Sequence, residues 1–193
     1  MNLNKATRIF GITLIIASLF VLVPLGYFWL NGKIAEAQPA KPMQHVVLQP
    51  TVETITGTPT HISIPSLNIE LEIEPGNYDA KTKQWTLSLD KAHFATPSVA
   101  PNNMGGNTLI YGHYRPEVFA YLHNITPGAT AAISTENGYV FNYTFERSEA
   151  LDPADTSIFM YKGKPRLTIQ TCSGAFMQNR QMYYFHYDGY QKI

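Results

Sequence analysis

The sequence contains very little cysteine and no excess of charge of either sign. Cys172 is the only cysteine among 193 residues, so no disulfide can form within the chain. Fourteen Lys and Arg residues balance fourteen Asp and Glu residues. A neutral chain lacks the strongly basic surface that nucleic-acid binding requires, so we expect no nucleic-acid partner. Because 45% of the residues are hydrophobic and only 15% are charged, we expect a packed core rather than a disordered chain.

Several motifs of cofactor and hydrolase chemistry are also missing. No pair among the six histidines has the spacing typical of zinc ligands. The chain has neither a phosphate-binding glycine loop nor the G-x-S-x-G turn of serine hydrolases. We therefore expect no metal and no cofactor.

One long hydrophobic run is present, at residues 9–30, and it contains no charged side chain. A helix of this length would extend about 33 Å, which is enough to cross a hydrocarbon core of about 30 Å. Lys5 and Arg8 precede the run and Lys33 follows it, an excess that favours a cytoplasmic N-terminus. We predict a single-pass membrane protein that contacts lipid through residues 9–30.

A cleaved signal peptide is the alternative, because Ala35–Ala37 resembles a cleavage site. The apolar run is longer than the core of a usual signal peptide, which favours an uncleaved anchor. Either way, the chain after the run lies outside the cytoplasm. With the anchor retained, residues 1–8 are cytoplasmic, and residues 31–58, rich in Ala, Gln, Pro and Thr, form an extracytoplasmic linker.

Residues 59–193 have the pattern of a mainly β domain. Tyrosine (12) and phenylalanine (10) dominate the aromatic residues, a composition that favours sheet. About eight short strand-like runs alternate with turn-forming residues, which indicates a barrel or a sandwich rather than a doubly wound parallel sheet. The predicted strands are His61–Pro65, Leu67–Ile73, Trp85–Leu89, Asn107–His113, Thr130–Thr135, Tyr139–Arg147, Arg166–Cys172 and Arg180–Tyr187, and a short helix is predicted over Pro116–Ile125.

Three residues could form one reactive site. Cys172 ends a predicted strand and precedes turn-forming residues, which should put its thiol at the rim of the sheet. Arg180 begins the next strand, so an antiparallel pair would place a guanidinium beside the thiol, where it could stabilise an oxyanion. His113 ends another strand and could transfer protons. Each residue also has a structural interpretation, since lone cysteines and histidines usually pack in cores.

The sequence resembles the sortase family at these same residues. Leu167–Cys172 is similar to the T-x-x-T-C signature of sortases, and Asn107–Tyr114 is similar to their histidine-bearing strand end. Arg180 matches the position of the arginine that begins the last strand in sortases. The order of His, Cys and Arg and the N-terminal anchor also match, and the resemblance covers roughly residues 60–190.

This resemblance implies an eight-stranded sortase-type β-barrel and a cysteine transpeptidase. Cys172 would attack a Leu-Pro-x-Thr-Gly-like sorting motif of a secreted protein and form a thioacyl intermediate. His113 would protonate the leaving amine, Arg180 would hold the oxyanion, and Thr171 would contribute a hydrogen bond to the substrate. The acceptor would be an amine of a cell-wall precursor or of a pilin lysine.

Two departures prevent assignment to a branch of the family. The chain shows no Asp-Pro-aromatic lid motif before the barrel, and only seven residues separate Cys172 from Arg180. Carboxylates do not cluster as calcium dependence would require. The alternatives are an extracytoplasmic cysteine peptidase and a non-catalytic, membrane-tethered β-barrel that binds a wall component.

Overall fold

The computed structural model describes residue 16 and residues 18–31, 53–173 and 179–193. The chain divides into two compact units, Met1–Pro50 and Thr51–Ile193. In the first unit, residues 18–31 are helical. Among the described residues, no helix is both long and apolar enough to cross a membrane. The predicted anchor at residues 9–30 and the predicted linker at residues 31–58 lie partly outside the described residues, and both remain predictions.

The second unit is built on ten strands, eight of which close into a barrel. The strands are β1 (Pro59–Ile64), β2 (Ile69–Gly76), β3 (Tyr78–Asp79), β4 (Gln84–Trp85), β5 (Ala92–Ala95), β6 (Asn107–Tyr111), β7 (Thr130–Thr135), β8 (Tyr139–Leu151), β9 (Arg166–Ser173) and β10 (Asn179–Lys192). The order around the barrel is β1-β2-β5-β6-β9-β10-β8-β7, and β3 pairs only with β4. The predicted mainly β fold with an eight-stranded barrel is confirmed.

Two of the barrel pairings are parallel and the others are antiparallel. β2 runs parallel to β5, and β6 runs parallel to β9. The hairpins β7–β8 and β9–β10 are antiparallel, and β8 and β10 are the longest strands of the barrel. Because β6 and β9 are adjacent and parallel, their C-terminal ends meet at the same edge of the barrel.

The helical segments are short and differ from the sequence prediction. Three 3-10 turns are present in the described residues: Pro65–Leu67, Ala120–Asn124 and Ser157–Met160. In place of a helix over Pro116–Ile125, only the Ala120–Asn124 segment is helical. The apolar residues that prompted the prediction are nevertheless buried, because the i, i+3 spacing of Phe119 and Leu122 suits a 3-10 turn as well.

Short strands account for the other differences. The strand predicted at Trp85–Leu89 is reduced to the two residues of β4, Gln84–Trp85. β5 was not predicted, and all four of its residues are buried. A strand that is buried on both faces shows no alternation of polar and apolar residues, so the period-two pattern cannot reveal it.

Side chains of the barrel strands pack into two separate apolar clusters. Along β9, Leu167 and Ile169 belong to the larger cluster, which fills the barrel. On β10, Met182 and Tyr184 alternate with residues of that cluster and belong to a smaller one. The buried members of this outer cluster are Ala95, Leu109, Tyr111, Ile158, Met182 and Tyr184. Since successive strand residues point to opposite faces, the outer cluster lies on the outside of the barrel wall.

Candidate active site

Three neighbouring strands bring His113, Cys172 and Arg180 to one place. In the antiparallel pair β9–β10, Arg180 is the direct partner of Cys172. In the parallel pair β6–β9, Tyr111 is the partner of Gln170, and the Gly112 N–H donates to the Gln170 carbonyl at 3.1 Å. His113 follows the end of β6 at Tyr111, and extending the same register by two residues sets it level with Cys172, with which it lines one cleft. The hairpin accounts for the predicted proximity of Cys172 and Arg180, and the strand order adds His113 to the same place.

All three side chains lie on the outer face of the barrel and line one cleft. The cleft has a volume of about 1010 Å³. His113, Cys172 and Arg180 are each half-buried, so they are reachable from solvent but held by their surroundings. The Arg180 guanidinium also donates to the Asn179 carbonyl at 3.3 Å. The arrangement can supply a nucleophilic thiol, a proton carrier and a planar cation within a single row.

Gly112 positions His113 through tight packing. A Cβ atom at Gly112 would lie 2.7 Å from Cγ1 of Val118 and 3.0 Å from the Phe119 ring. The Phe119 N–H in turn donates to the His113 carbonyl at 3.2 Å. Val118 and Phe119 are fully buried, so they cannot move aside at low cost. The glycine thus lets the segment after β6 fold back closely against the histidine.

The floor of the cleft is apolar and is formed by the outer cluster. Leu109 and Tyr111 of β6 and Met182 of β10 lie below the row of His113, Cys172 and Arg180. Tyr111 donates its hydroxyl to the Thr86 carbonyl at 2.8 Å, and burial raises the pKa of this phenol. The floor can therefore accept an apolar group without leaving the Tyr111 hydroxyl unsatisfied.

An aromatic stack bounds the cleft on the side of the β3–β4 hairpin. The Trp85 ring lies nearly parallel to the Phe159 ring, with an interplanar angle of 6° and centroids 6.2 Å apart. Trp85 also contacts Tyr111 edge-on at 5.4 Å, and Tyr78 at 5.5 Å. These rings provide a wide apolar surface for a substrate side chain.

Thr171 differs from the other predicted site residues. Its side chain is 2% exposed. By strand alternation it points into the barrel with Leu167 and Ile169, on the face opposite Cys172. Thr171 borders the cleft, but a hydroxyl that points into the barrel does not face a peptide bound there. Its predicted role in substrate binding stays a prediction, and a contact with bound peptide would have to come from its backbone.

His93 is a second histidine close to the site that the sequence did not distinguish from the background histidines. It is fully buried on β5, stacks on Tyr111 at 5.6 Å between centroids, and its Nε2 lies 2.9 Å from the Ser88 hydroxyl. Burial lowers the pKa of His93, and the nearby His113 acts in the same direction. The lowered pKa favours a neutral His93. His113 is the half-exposed imidazole that lines the cleft. Because β5 shows no alternation, the sequence contains no signal that could have identified it.

No cluster of three or more His, Cys, Asp or Glu residues suited to a metal ion occurs within the described residues. Arg166, at the start of β9, has structural partners. Arg166 stacks on Tyr161 at 3.8 Å, and its Nε donates to Asn107 at 3.0 Å. Asn107 also accepts a 2.6 Å hydrogen bond from Thr168, so these residues tie β6 to β9 behind the site.

Comparison with known proteins agrees with this geometry. A family model described as Sortase domain matches residues 62–186, about two thirds of the chain. The matched region contains His113, Cys172 and Arg180. No curated protein sequence shows a significant match to the chain.

Several sortases of known structure have the same fold. Sortase A from Corynebacterium diphtheriae superposes with a TM-score of 0.57 at 21% identity, over 70% of this chain and 62% of that one. Sortase E1 from Streptomyces coelicolor, solved with a tripeptide in its active site, has a TM-score of 0.58 at 20% identity, over 71% of this chain and 91% of that one. Sortase C1 from Streptococcus agalactiae has a TM-score of 0.54 at 24% identity and 69% coverage of both chains. The chain thus spans less than two thirds of the C. diphtheriae structure.

Proposed function

The chain belongs to the sortase family of cysteine transpeptidases, and on that premise we propose that it cleaves a sorting motif on secreted proteins and transfers them to an amine. The observation that carries the proposal is the row of His113, Cys172 and Arg180 along one cleft. A structural cysteine or histidine would be expected to be fully buried, as His93 is, whereas Cys172 and His113 are half-buried and line the cleft. This favours a catalytic thiol over a binding module with a buried cysteine.

The first half of the reaction forms a thioacyl enzyme. The Cys172 thiolate attacks the carbonyl carbon of the acyl residue, and the carbonyl oxygen becomes an oxyanion. Arg180, directly opposite Cys172, donates hydrogen bonds to this oxygen. The C–N bond then breaks as His113 gives its proton to the leaving amine, which departs with the C-terminal part of the motif.

The second half transfers the acyl group. An incoming amine gives its proton to His113 and attacks the thioester carbon. The C–S bond breaks, the new amide is released, and the Cys172 thiolate is regenerated with His113 protonated. No oxidant, metal or cofactor enters this sequence.

The cleft favours a peptide with a large apolar residue before the cleavage site. Trp85, Phe159 and Tyr111 offer apolar surface next to the row of reactive residues. A leucine-like residue, as in a Leu-Pro-x-Thr-Gly-like motif, would bury its side chain there. The amine would come from a cell-wall precursor or a pilin lysine.

We also propose that residues 9–30 hold the enzyme in the cell membrane with its catalytic domain outside. The uncharged run and the preceding Lys5 and Arg8 support this orientation. Protease added to cells stripped of their wall should digest the domain from Thr60 onward. Complete protection of the domain would contradict the orientation.

The reaction itself is tested with a library of pentapeptides and intact-mass measurement. We expect an acyl adduct on Cys172 in the wild-type protein and none in Cys172→Ala. Addition of a small amine such as triglycine should release the adduct as a new amide. Release by water alone, with no amide formed, would indicate a peptidase, and the absence of any adduct would contradict the proposal.

A further inference from the structure

One polar side chain, that of Gln170, lies among the apolar residues of the floor of the cleft. Gln170 is the direct partner of Tyr111 on β6 and of Met182 on β10, both of which are buried. It therefore occupies the middle of the row immediately below His113, Cys172 and Arg180. Gln170 is half-buried and lines the cleft.

Two other polar groups on this surface have hydrogen-bond partners. The Tyr111 hydroxyl donates to Thr86, and the Thr168 hydroxyl donates to Asn107. No side chain of the described residues forms a hydrogen bond with the Gln170 amide. The half-buried Gln170 amide is therefore open to solvent in the cleft and available to a bound peptide, and a leucine or methionine at this position would remove no hydrogen bond of the fold.

The distance along β9 shows which part of a substrate would meet this amide. Cys172 and Gln170 are two residues apart on one strand face, and two strand residues span about 6.6 Å. An extended peptide advances by the same amount over two residues. For a peptide that runs along β9 toward Cys172 and has its acyl carbon there, the residues one and two positions before the acylated residue lie over Gln170.

We propose that Gln170 is a specificity-determining residue that hydrogen-bonds a polar side chain of the substrate at one of these two positions. This inference rests on the proposed function and deepens it. The amide offers both a donor and an acceptor, so hydroxyl and carboxamide side chains suit it. An apolar side chain would leave the amide desolvated and unpaired, and a site built to hydrogen-bond its substrate discriminates strongly against such an analogue.

The test compares peptides that differ by one isosteric side chain. Two pairs of residues are compared, Thr with Val and Asn with Leu. Each pair is tested one residue and two residues before the acylated residue, and kcat/KM of the full-length enzyme is measured for every peptide. We expect the wild type to prefer the polar member of a pair at one position. In Gln170→Met, the ratio of kcat/KM for the polar peptide to that for the apolar peptide should fall about tenfold. Gln170→Met should melt at the same temperature as the wild type or higher, which a residue needed for the fold would not do.

Two controls separate this inference from the proposed function. Gln191→Met makes the same chemical change at an exposed position near the end of β10 and should leave the preference unchanged. Alkylation of Cys172 by iodoacetamide should proceed equally in wild type and Gln170→Met, because Gln170 takes no part in the chemistry. If the wild type is active and Gln170→Met shows the same preference, the inference about Gln170 is overturned and the proposed function is not. A wild type that forms no adduct with any peptide overturns the proposed function and this inference with it.

Discussion

Arg180 lies directly opposite Cys172 in the antiparallel pair of β9 and β10. Opposed residues of such a pair have Cα atoms about 4.5–5.5 Å apart and point to the same face of the sheet. The guanidinium can therefore reach a group bound at the sulfur without a large movement of the backbone.

This relationship predicts that Arg180→Ala slows acyl transfer by about 100-fold, the size of effect seen when one oxyanion donor is lost. Arg180→Lys should recover only part of the rate, because an ammonium lacks the planar fork of the guanidinium. Single-turnover acylation of Cys172 by peptide measures both variants. Arg115→Ala, at an exposed position, is the matched control and should behave like wild type. A fully active lysine variant would mean that Arg180 contributes only its charge.

The position of His113 predicts an effect on rate rather than on stability. Its ring is half-exposed at the rim, so His113→Ala should keep a melting temperature close to that of the wild type while transferring peptide at a small fraction of the normal rate. The wild-type rate should show a bell-shaped pH dependence, because the reaction needs one group deprotonated and another protonated. One limb of the bell should disappear in His113→Ala.

The matched control for this variant is His123→Ala, which removes an exposed imidazole from the Ala120–Asn124 turn. It should leave both the rate and the bell unchanged. Unfolding of His113→Ala, or full activity with an unchanged bell, would remove His113 from the mechanism.

The close packing at Gly112 predicts that Gly112→Ala impairs both stability and activity. The added methyl group would lie 2.7 Å from Val118 and 3.0 Å from Phe119, and overpacking of this kind typically costs about 1–3 kcal/mol. Because Phe119 is hydrogen-bonded to His113, the displaced segment should also misplace the imidazole. Urea unfolding and peptide transfer measure the two effects.

The double variant Gly112→Ala/Val118→Ala tests the cause. Removing the Val118 side chain takes away the nearest contact, so the double variant should recover part of the activity lost in Gly112→Ala. If activity falls further instead, the clash with Val118 is not what displaces His113.

Buried tyrosines predict a loss of stability in alkali. Burial raises the pKa of Tyr183 and that of Tyr184 to about 12, from an ordinary value of 10.0. The folded state holds these protons more tightly than the unfolded state does. The stabilisation is therefore complete below pH 10 and decreases as the pH rises from about 10 to about 12.

Urea unfolding between pH 8 and pH 12 measures this decrease. Tyr183→Phe should make the free energy of unfolding fall less steeply with pH, because one group no longer ionises. Tyr121→Phe, at a site that is 47% exposed, is the control and should leave the slope unchanged. An equal slope in wild type and Tyr183→Phe would show that Tyr183 does not contribute to the alkaline transition.

Much of the fold could be predicted from the sequence where local pattern determines structure. Alternating residues identified the long strands, since Phe141, Tyr143 and Phe145 of β8 are all buried on one face. Turn-forming residues marked their ends. The strands that the sequence missed or overextended, β5 and β4, are too short or too uniformly buried to show a period.

The sequence by itself determined the residue types, their order along the chain and the family. It placed Cys172 at a strand end and, through the antiparallel hairpin, Arg180 beside it. Tertiary structure decided the rest. The parallel pairing of β6 with β9 joins residues 59 positions apart in the chain, which no local pattern records. Only this pairing brings His113 level with Cys172 and sets Gln170 below it, because register between distant strands depends on how the whole barrel closes.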